Sequence, residues 1–248
     1  MTQIKLKDIS TRAGKDYNKE ETKDKTIKVL EELNDLQNLL FAGNKHSILI
    51  IIQGMDASGK DGVIRNVFTS MNPQGVTVKS YKAPTPEELS HDFLWRIHQH
   101  APAKGVIQLF NRSHYEDILI TRVHKWCDDE TAYKRMKAIN DWEELISIHN
   151  HTHIFKFYLH ISREEQLQRL NERIKAPSKM WKYNENDFEE AKLWDTYMQM
   201  YEDCFKNCDI IPWTIVPSDQ NWYKEYIIAT TLRDGFAGLK MQYPGLKK

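Results

Sequence analysis

The sequence predicts an α/β protein in three layers, with helices on both faces of a central five-stranded parallel sheet. Short β-branched apolar runs alternate with stretches of helical periodicity along most of the chain. Strands and helices in that alternation close into a parallel sheet covered on both sides. The first apolar run also ends in a glycine-containing turn, Gly54-Met-Asp-Ala-Ser-Gly-Lys60, that opens a helical pattern.

Residues 1–26 are polar, with charges of both signs, and read as an extended or loosely ordered arm. Ile27, Leu30, Leu33, Leu36, Leu39 and Leu40 then recur at helical spacing, which predicts an amphipathic helix over 26–42. Its stripe calls for docking on the core or for self-association into a homo-oligomer. Residues 47–52 (Ser-Ile-Leu-Ile-Ile-Ile) are continuously apolar, as suits a central strand buried on both faces. A helix over about 60–70 and a strand over 76–81 follow. Thr85-Pro-Glu-Glu88 is a capping box with proline at the first helical position, predicting a helix to about residue 100. Residues 105–110 form the third strand, 131–149 a helix and 153–161 the fourth strand. A second box at Ser162-Arg-Glu-Glu165 starts a helix through Leu170. After a polar break comes a long helix carrying Trp194, Tyr197, Met198, Tyr201 and Phe205 on one face. A strand over 213–217 and a helix over 222–236 complete the pattern. The expected organisation is one domain over 27–248 preceded by the arm.

Bulk composition is that of an ordinary soluble globular protein, and 35 basic residues balance 35 acidic ones. Net charge therefore argues for no polyanion, and only local clustering can. Nucleic acid and membrane partners are not expected. Three cysteines suggest no disulfide framework, and Cys204 and Cys208 read as buried thiols. With neither a signal core nor an apolar run near the roughly 20 residues of a membrane span, a cytoplasmic location is expected.

The spacing Gly54-(x)4-Gly59-Lys60 is that of a P-loop. Its glycines allow a tight turn that aims backbone N–H groups at phosphate oxygens, and the following helix adds its positive end. Gly54, Ala57, Ser58, Gly59 and Gly62 are thus candidates to cradle phosphate, with Lys60 reaching the transferring phosphoryl group. An exposed lysine on an ordinary strand-to-helix turn is the plainer reading, but the position after a central strand weighs against it. Two acids make the loop unusual. Asp61 stands where Ser or Thr ordinarily holds Mg²⁺, and Asp56 lies inside the loop. Asp56 could bind metal or position an acceptor oxygen. Asp61 could do likewise, or could simply stabilise the loop as an Asx turn.

The third strand should carry the second acidic motif, yet Asn111 occupies its end. Asp117, a little further on, is the candidate for metal or nucleotide contact; an acidic pair Glu116-Asp117 near a helix start is otherwise a common solvated feature. Arg112 follows Asn111 at the expected active edge and reads as a phosphate clamp. Lys82 ends the second strand region, and Arg122 lies beyond the third. Between Arg173 and Tyr183 stand Arg173, Lys175, Lys179 and Lys182 with no acidic residue, and Arg169 lies one turn earlier. Alone this would be a solvated basic loop. Beside a P-loop it reads as a helical lid over about 169–186 that closes on phosphates. The whole is P-loop kinase-like.

Several segments then resemble one family in its own order. They are Gly54-Met-Asp-Ala-Ser-Gly-Lys-Asp-Gly62, Tyr81-Lys-Ala-Pro-Thr85, His91-Asp-Phe-Leu-Trp-Arg96 and Phe110-Asn-Arg-Ser-His-Tyr-Glu-Asp117. Arg122-Val-His124, Lys179-Met-Trp-Lys182, Leu193-Trp-Asp-Thr-Tyr197 and Trp222-Tyr223 continue the series. Together they resemble the polyphosphate kinase 2 family over about residues 25–240. The resemblance implies reversible transfer of the terminal phosphoryl group of inorganic polyphosphate to AMP or ADP, giving ADP or ATP. It implies Mg²⁺, with Mn²⁺ as a substitute, and places Asp56 and Asp117 on the metal and acceptor. Lys60 and Arg112 would hold the transferring phosphate, and Arg122, Arg173, Lys179 and Lys182 would hold nucleotide phosphates or polyphosphate. Asn111 resembles the subgroup that accepts both AMP and ADP. An ATP-dependent nucleotide kinase and a non-catalytic nucleotide-binding regulator are the competing readings.

Overall fold

The computed structural model describes residues 4–246. Five parallel strands form one sheet: β1 (Ser47–Gln53), β2 (Val76–Ser80), β3 (Ile107–Asn111), β4 (Thr152–His160) and β5 (Trp213–Pro217). Their order is β2-β3-β1-β4-β5, so β1 is central and the connections reverse direction there. All seven residues of β1 are buried, which explains its uninterrupted apolarity. Alternate side chains serve the two faces. Leu49 and Ile51 join Phe110, Ile154 and Tyr158 in one core layer, and Ile48, Ile50 and Ile52 join Leu109, Phe157 and Leu159 in the other.

Helix α1 (Lys19–Gly43) and α2 (Lys60–Phe68) cover the second of these layers. Two short helices follow, α3 (Pro86–Leu89) and α4 (Trp95–His98), then α5 (Ile120–Val123) and α6 (Asp129–Asn150). After β4 come α7 (Arg163–Lys175), α8 (Pro177–Met180), α9 (Asn186–Lys192) and α10 (Trp194–Asn207), and α11 (Asn221–Gly238) ends the fold. Among the described residues no helix is long and apolar enough to cross a membrane.

The structure corrects the sequence reading in four places. Helix α1 begins at Lys19, inside the expected arm, because the Asn18 side chain accepts from the N–H groups of Glu20 and Glu21. The residues before it are docked: Leu6 is buried in the core, its N–H donates to Glu202 Oε1 (2.8 Å), and Thr11 Oγ1 donates to Asp219 Oδ2 (2.9 Å). Residues 1–3 and 247–248 lie outside the described residues. Of the predicted stripe, Leu33 and Leu40 are buried in the layer that α1 shares with α11 and Leu30 and Leu36 pack against it, while Ile27 is exposed; Val29 joins the buried set. The helix expected from Thr85 to about 100 is broken between α3 and α4, where Asp92 Oδ1 accepts from the Leu94 N–H (2.9 Å) and the Ser90 hydroxyl from its own turn donates to the Glu87 carbonyl (2.7 Å). Local side-chain bonds of this kind compete with helix propagation. The long helix after the polar break is likewise divided at Leu193 into α9 and α10.

One polar group is sealed inside the sheet–α6 interface. Lys156 of β4 and Glu143 of α6 are without solvent exposure and pair at 2.8 Å. Lys156 Nζ also donates to the Tyr115 hydroxyl (2.8 Å) and the Cys208 carbonyl (3.0 Å), while Tyr115 donates to Glu143 Oε1 (2.6 Å). Burial raises the Glu143 pKa, but Lys156 and His114 together outweigh it and hold the carboxyl below its usual range. Removing one partner leaves an uncompensated buried charge. Lys156→Met should therefore lower unfolding free energy by about 3–5 kcal/mol, and Lys156→Met with Glu143→Gln by clearly less. Urea titrations of the two variants check this.

Candidate active site

The P-loop leaves the carboxyl end of β1 and enters α2. Three of its residues have positive φ: Gly54 (153°), Ala57 (63°) and Gly59 (98°). A Cβ on Gly54 would lie 2.8 Å from Ser58 Oγ and 3.0 Å from the Leu159 carbonyl, so space as well as backbone conformation requires glycine. The turn closes with Ser58 N–H donating to the Met55 carbonyl (3.2 Å). Lys60 folds back over the loop, and its Nζ donates to the carbonyls of Gly54 (2.7 Å) and Met55 (3.1 Å). Burial, with help from Arg112, pulls its pKa down to about 8 against the opposing charge of Asp56.

Arg112 stands at the end of β3 with φ 61°, its N–H donating to the Ile52 carbonyl of β1 (3.1 Å). That turn brings its guanidinium to Asp56 Oδ1 at 2.5 Å. Burial alone would raise the Asp56 pKa, but Arg112 and Lys60 outweigh it and hold the carboxyl below its usual range. Asp61 sits across the site, accepting from Asn111 Nδ2 (2.9 Å) and from Lys182 Nζ (2.7 Å). Arg173 pairs with Asp187, and Lys179 pairs with Glu172 (2.6 Å).

These groups enclose a cavity of about 880 Å³ between the P-loop, the ends of β2 and β3, and the α7–α8 segment. Eight basic side chains line it: Lys60, Arg65, Lys82, Arg112, Arg169, Arg173, Lys179 and Lys182. Only two carboxylates, Asp56 and Asp61, share its wall. In a chain of zero formal charge this is a strong local excess, of the kind that concentrates a polyanion.

The family model described as Polyphosphate kinase 2 (PPK2) matches residues 16–243. The chain belongs to the polyphosphate kinase 2 family. It is 44% identical over 214 residues to an AMP/ADP-polyphosphate phosphotransferase of Meiothermus ruber, covering 86% of this chain and 80% of that protein. It is 42% identical over 229 residues to an ADP-polyphosphate phosphotransferase of Rhodopseudomonas palustris, covering 87% of this chain and 79% of that one. A crystal structure of polyphosphate kinase 2 from Arthrobacter aurescens TC1 superposes with a TM-score of 0.95 at 39% identity, covering 100% of this chain and 90% of that chain.

Within this polyphosphate kinase 2 chain, most residues singled out in the sequence meet at the cavity. Asp56, Ala57, Gly59, Lys60, Asp61, Gly62, Lys82, Asn111, Arg112, Arg173, Lys179 and Lys182 all line it. Gly54 lines the small adjoining cleft, and Ser58 is buried beneath the loop with its hydroxyl unpaired within the protein. Two candidates are elsewhere. Asp117 is turned to Arg96, whose Nη2 donates to it at 3.3 Å, and does not line the cavity. Residues His114–Ile118 form a 3₁₀ turn, whose tight winding points successive side chains in different directions. Glu116 therefore takes the place expected of Asp117, lining the cleft with Asp56 and Arg112. Its pKa is raised by burial, with Arg112 and Lys60 opposing. Arg122 is also elsewhere, held by Asp129 (2.8 Å) and Asp203 (2.7 Å) beside α6 and α10. Arg169 and Arg65 were outside the candidate set and do reach the cavity; the one-turn spacing of Arg169 from Arg173 was the available signal for the former.

Among the described residues no three His, Cys, Asp or Glu side chains form a metal cluster. Mg²⁺ ordinarily takes one or two carboxylates with water and substrate phosphates, not an all-protein cage. Ionised Asp56, with Glu116 on the same cleft, fits such an ion; Asp117 does not.

The buried ammonium of Lys60 should be measurable directly. With ¹³C-labelled lysine, the Lys60 Cε resonance of the ligand-free protein should titrate near pH 8, at the value burial gives it. A midpoint above about 10, as for an exposed lysine, would contradict the burial argument.

Proposed function

We propose that this chain transfers the terminal phosphoryl group of inorganic polyphosphate to AMP or ADP, giving ADP or ATP, and runs in both directions. The observation that carries this reading is the cavity wall of eight basic side chains built around a P-loop. The relatives named as AMP/ADP- and ADP-polyphosphate phosphotransferases support the donor and the acceptors.

Phosphoryl transfer needs positioning and charge neutralisation more than covalent chemistry. The P–O bond between the donor's last two phosphorus atoms breaks as one forms to a phosphate oxygen of the acceptor, and the polyphosphate leaves one unit shorter. Gly54, Ala57, Ser58, Gly59 and Gly62 build the cradle, and Lys60 and Arg112 contact the transferring group. Arg173, Lys179, Lys182 and Lys82 hold the remaining phosphates. Asn111 orients Asp61, and Lys182 exchanges Asp61 for donor oxygens as the α7–α9 segment closes as a lid. Asp56, with Glu116 near it, would hold Mg²⁺ or Mn²⁺, which offsets the charge on the phosphate oxygens when bound. A cytoplasmic location, where nucleotides are at hand, completes the reading. Self-association stays part of it, although most of the α1 stripe that suggested it packs into the core, with Ile27 left exposed.

Product analysis with polyphosphate, AMP or ADP and Mg²⁺, each omitted in turn, should give ADP or ATP only when all are present. Phosphorylation that needs a nucleoside triphosphate donor instead would point to an ATP-dependent kinase. Lys60→Ala should reduce kcat by at least about a hundredfold with the fold retained by circular dichroism. Lys179→Ala and Lys182→Ala should each raise KM for long-chain polyphosphate several-fold while leaving KM for ADP nearly unchanged; kinetics with each substrate varied separately check this.

A further inference from the structure

Two cations hold the backbone carbonyls of the P-loop: Arg169, which also lines the cavity, and Lys224, which does not. Arg169 Nη1 donates to the carbonyls of Ala57 (3.1 Å) and Ser58 (3.2 Å), and its Nη2 to those of Ser218 and Asp219 (2.9 Å each). Lys224 of α11 is almost completely buried and does not line the cavity. Its Nζ donates to the Ser58 carbonyl (3.1 Å) and to Asn221 Oδ1 (2.9 Å). A Cβ on Gly59 would lie 2.3 Å from that ammonium, so a larger residue there would displace the Lys224 head group.

The geometry has a direct consequence for the phosphate site. Across a planar trans peptide the C=O and the next N–H point in opposite directions. Drawing the Ser58 carbonyl down therefore turns the Gly59 N–H up, toward the cavity that Gly59 lines. We propose that Lys224 is a positioning residue for phosphoryl transfer, which grips the Ser58 carbonyl from below and so aims the Gly59 N–H at the donor phosphate. This rests on the polyphosphate reading above.

The charge environment gives the role a signature. Burial, then Arg169 and Lys60, pull the Lys224 pKa down to about 7, with Glu225 and Glu165 opposing. Near neutral pH the empty protein thus carries only part of this charge. A polyanion on the far side of the loop favours the protonated form, so donor binding raises the pKa and takes up a proton. The contribution of Lys224 to donor binding is full below about 7 and is lost as pH rises through the higher value of the complex.

The test is titration calorimetry of long-chain polyphosphate, without acceptor, into wild type and Lys224→Met from about pH 6 to 9, in two buffers of different ionisation enthalpy. The variant-to-wild-type ratio of Kd should be about tenfold at the acid end and approach one at the alkaline end. Proton uptake near neutrality should be smaller in the variant, and Kd for ADP should stay within about twofold. A ratio that does not change with pH, equal uptake in both proteins, or an equal loss for ADP would overturn the proposal. Should Lys224→Met not fold, Asn221→Asp serves instead: a carboxylate on the ammonium should move the weakening of donor binding to higher pH, and an unmoved profile overturns the role. Taking the ratio between two proteins cancels the titration of the donor's own end groups. Because binding is read without acceptor, a flat ratio with normal wild-type turnover counts against Lys224 alone. Donor binding with no turnover counts against the phosphotransferase reading and leaves the Lys224 result standing on its own.

Discussion

The ammonium of Lys60, folded onto the carbonyls of Gly54 and Met55, shows the constraint on which this site depends. A cavity lined by eight cations is self-repelling unless each has somewhere to place its charge. The ligand-free protein supplies internal partners for six of the eight: loop carbonyls for Lys60, Asp56 for Arg112, Asp61 for Lys182, Asp187 for Arg173, Glu172 for Lys179 and Glu165 for Arg169. Donor phosphates would replace these partners and not simply add to them. Affinity is then a difference between two paired states, which keeps a highly charged site foldable and its ligand exchangeable.

That arrangement needs a rigid base, and the sheet provides it. Buried β1 fixes the start of the loop, and β3, in register beside it, delivers Asn111 opposite Ile52 and then Arg112. Helices α7 and α11 bring Arg169 and Lys224 to the loop's carbonyls. The acids Asp187 and Glu172 lie on the same α7–α9 segment as the cations they restrain. The cationic wall and its counter-charges are therefore distributed over separate elements that meet at the carboxyl edge of the sheet.

Much of this was legible in the chain, for identifiable reasons. All five strands were, because β-branched apolar runs bounded by polar turns have few other uses. The P-loop was legible because its chemistry is local: glycines, a lysine and a helix start within seven residues. Asp117 and Arg122 were misplaced because sequence proximity does not give direction around a 3₁₀ turn or a short helix. Lys224 was invisible because nothing near it in sequence distinguishes it from a solvated helix lysine; only the tertiary approach of α11 to Ser58 gives it a role. The docked segment around Leu6 was missed because three apolar side chains, Ile4, Leu6 and Ile9, in a charged stretch are too few to set a period.

A crystal structure of the protein with a non-transferable polyphosphate analogue and ADP tests the exchange of partners most directly. The account predicts phosphate oxygens at the P-loop, with Lys60 Nζ moved off the Gly54 and Met55 carbonyls and Lys182 moved off Asp61 to contact them. Phosphates bound with both of those internal pairs intact would contradict it.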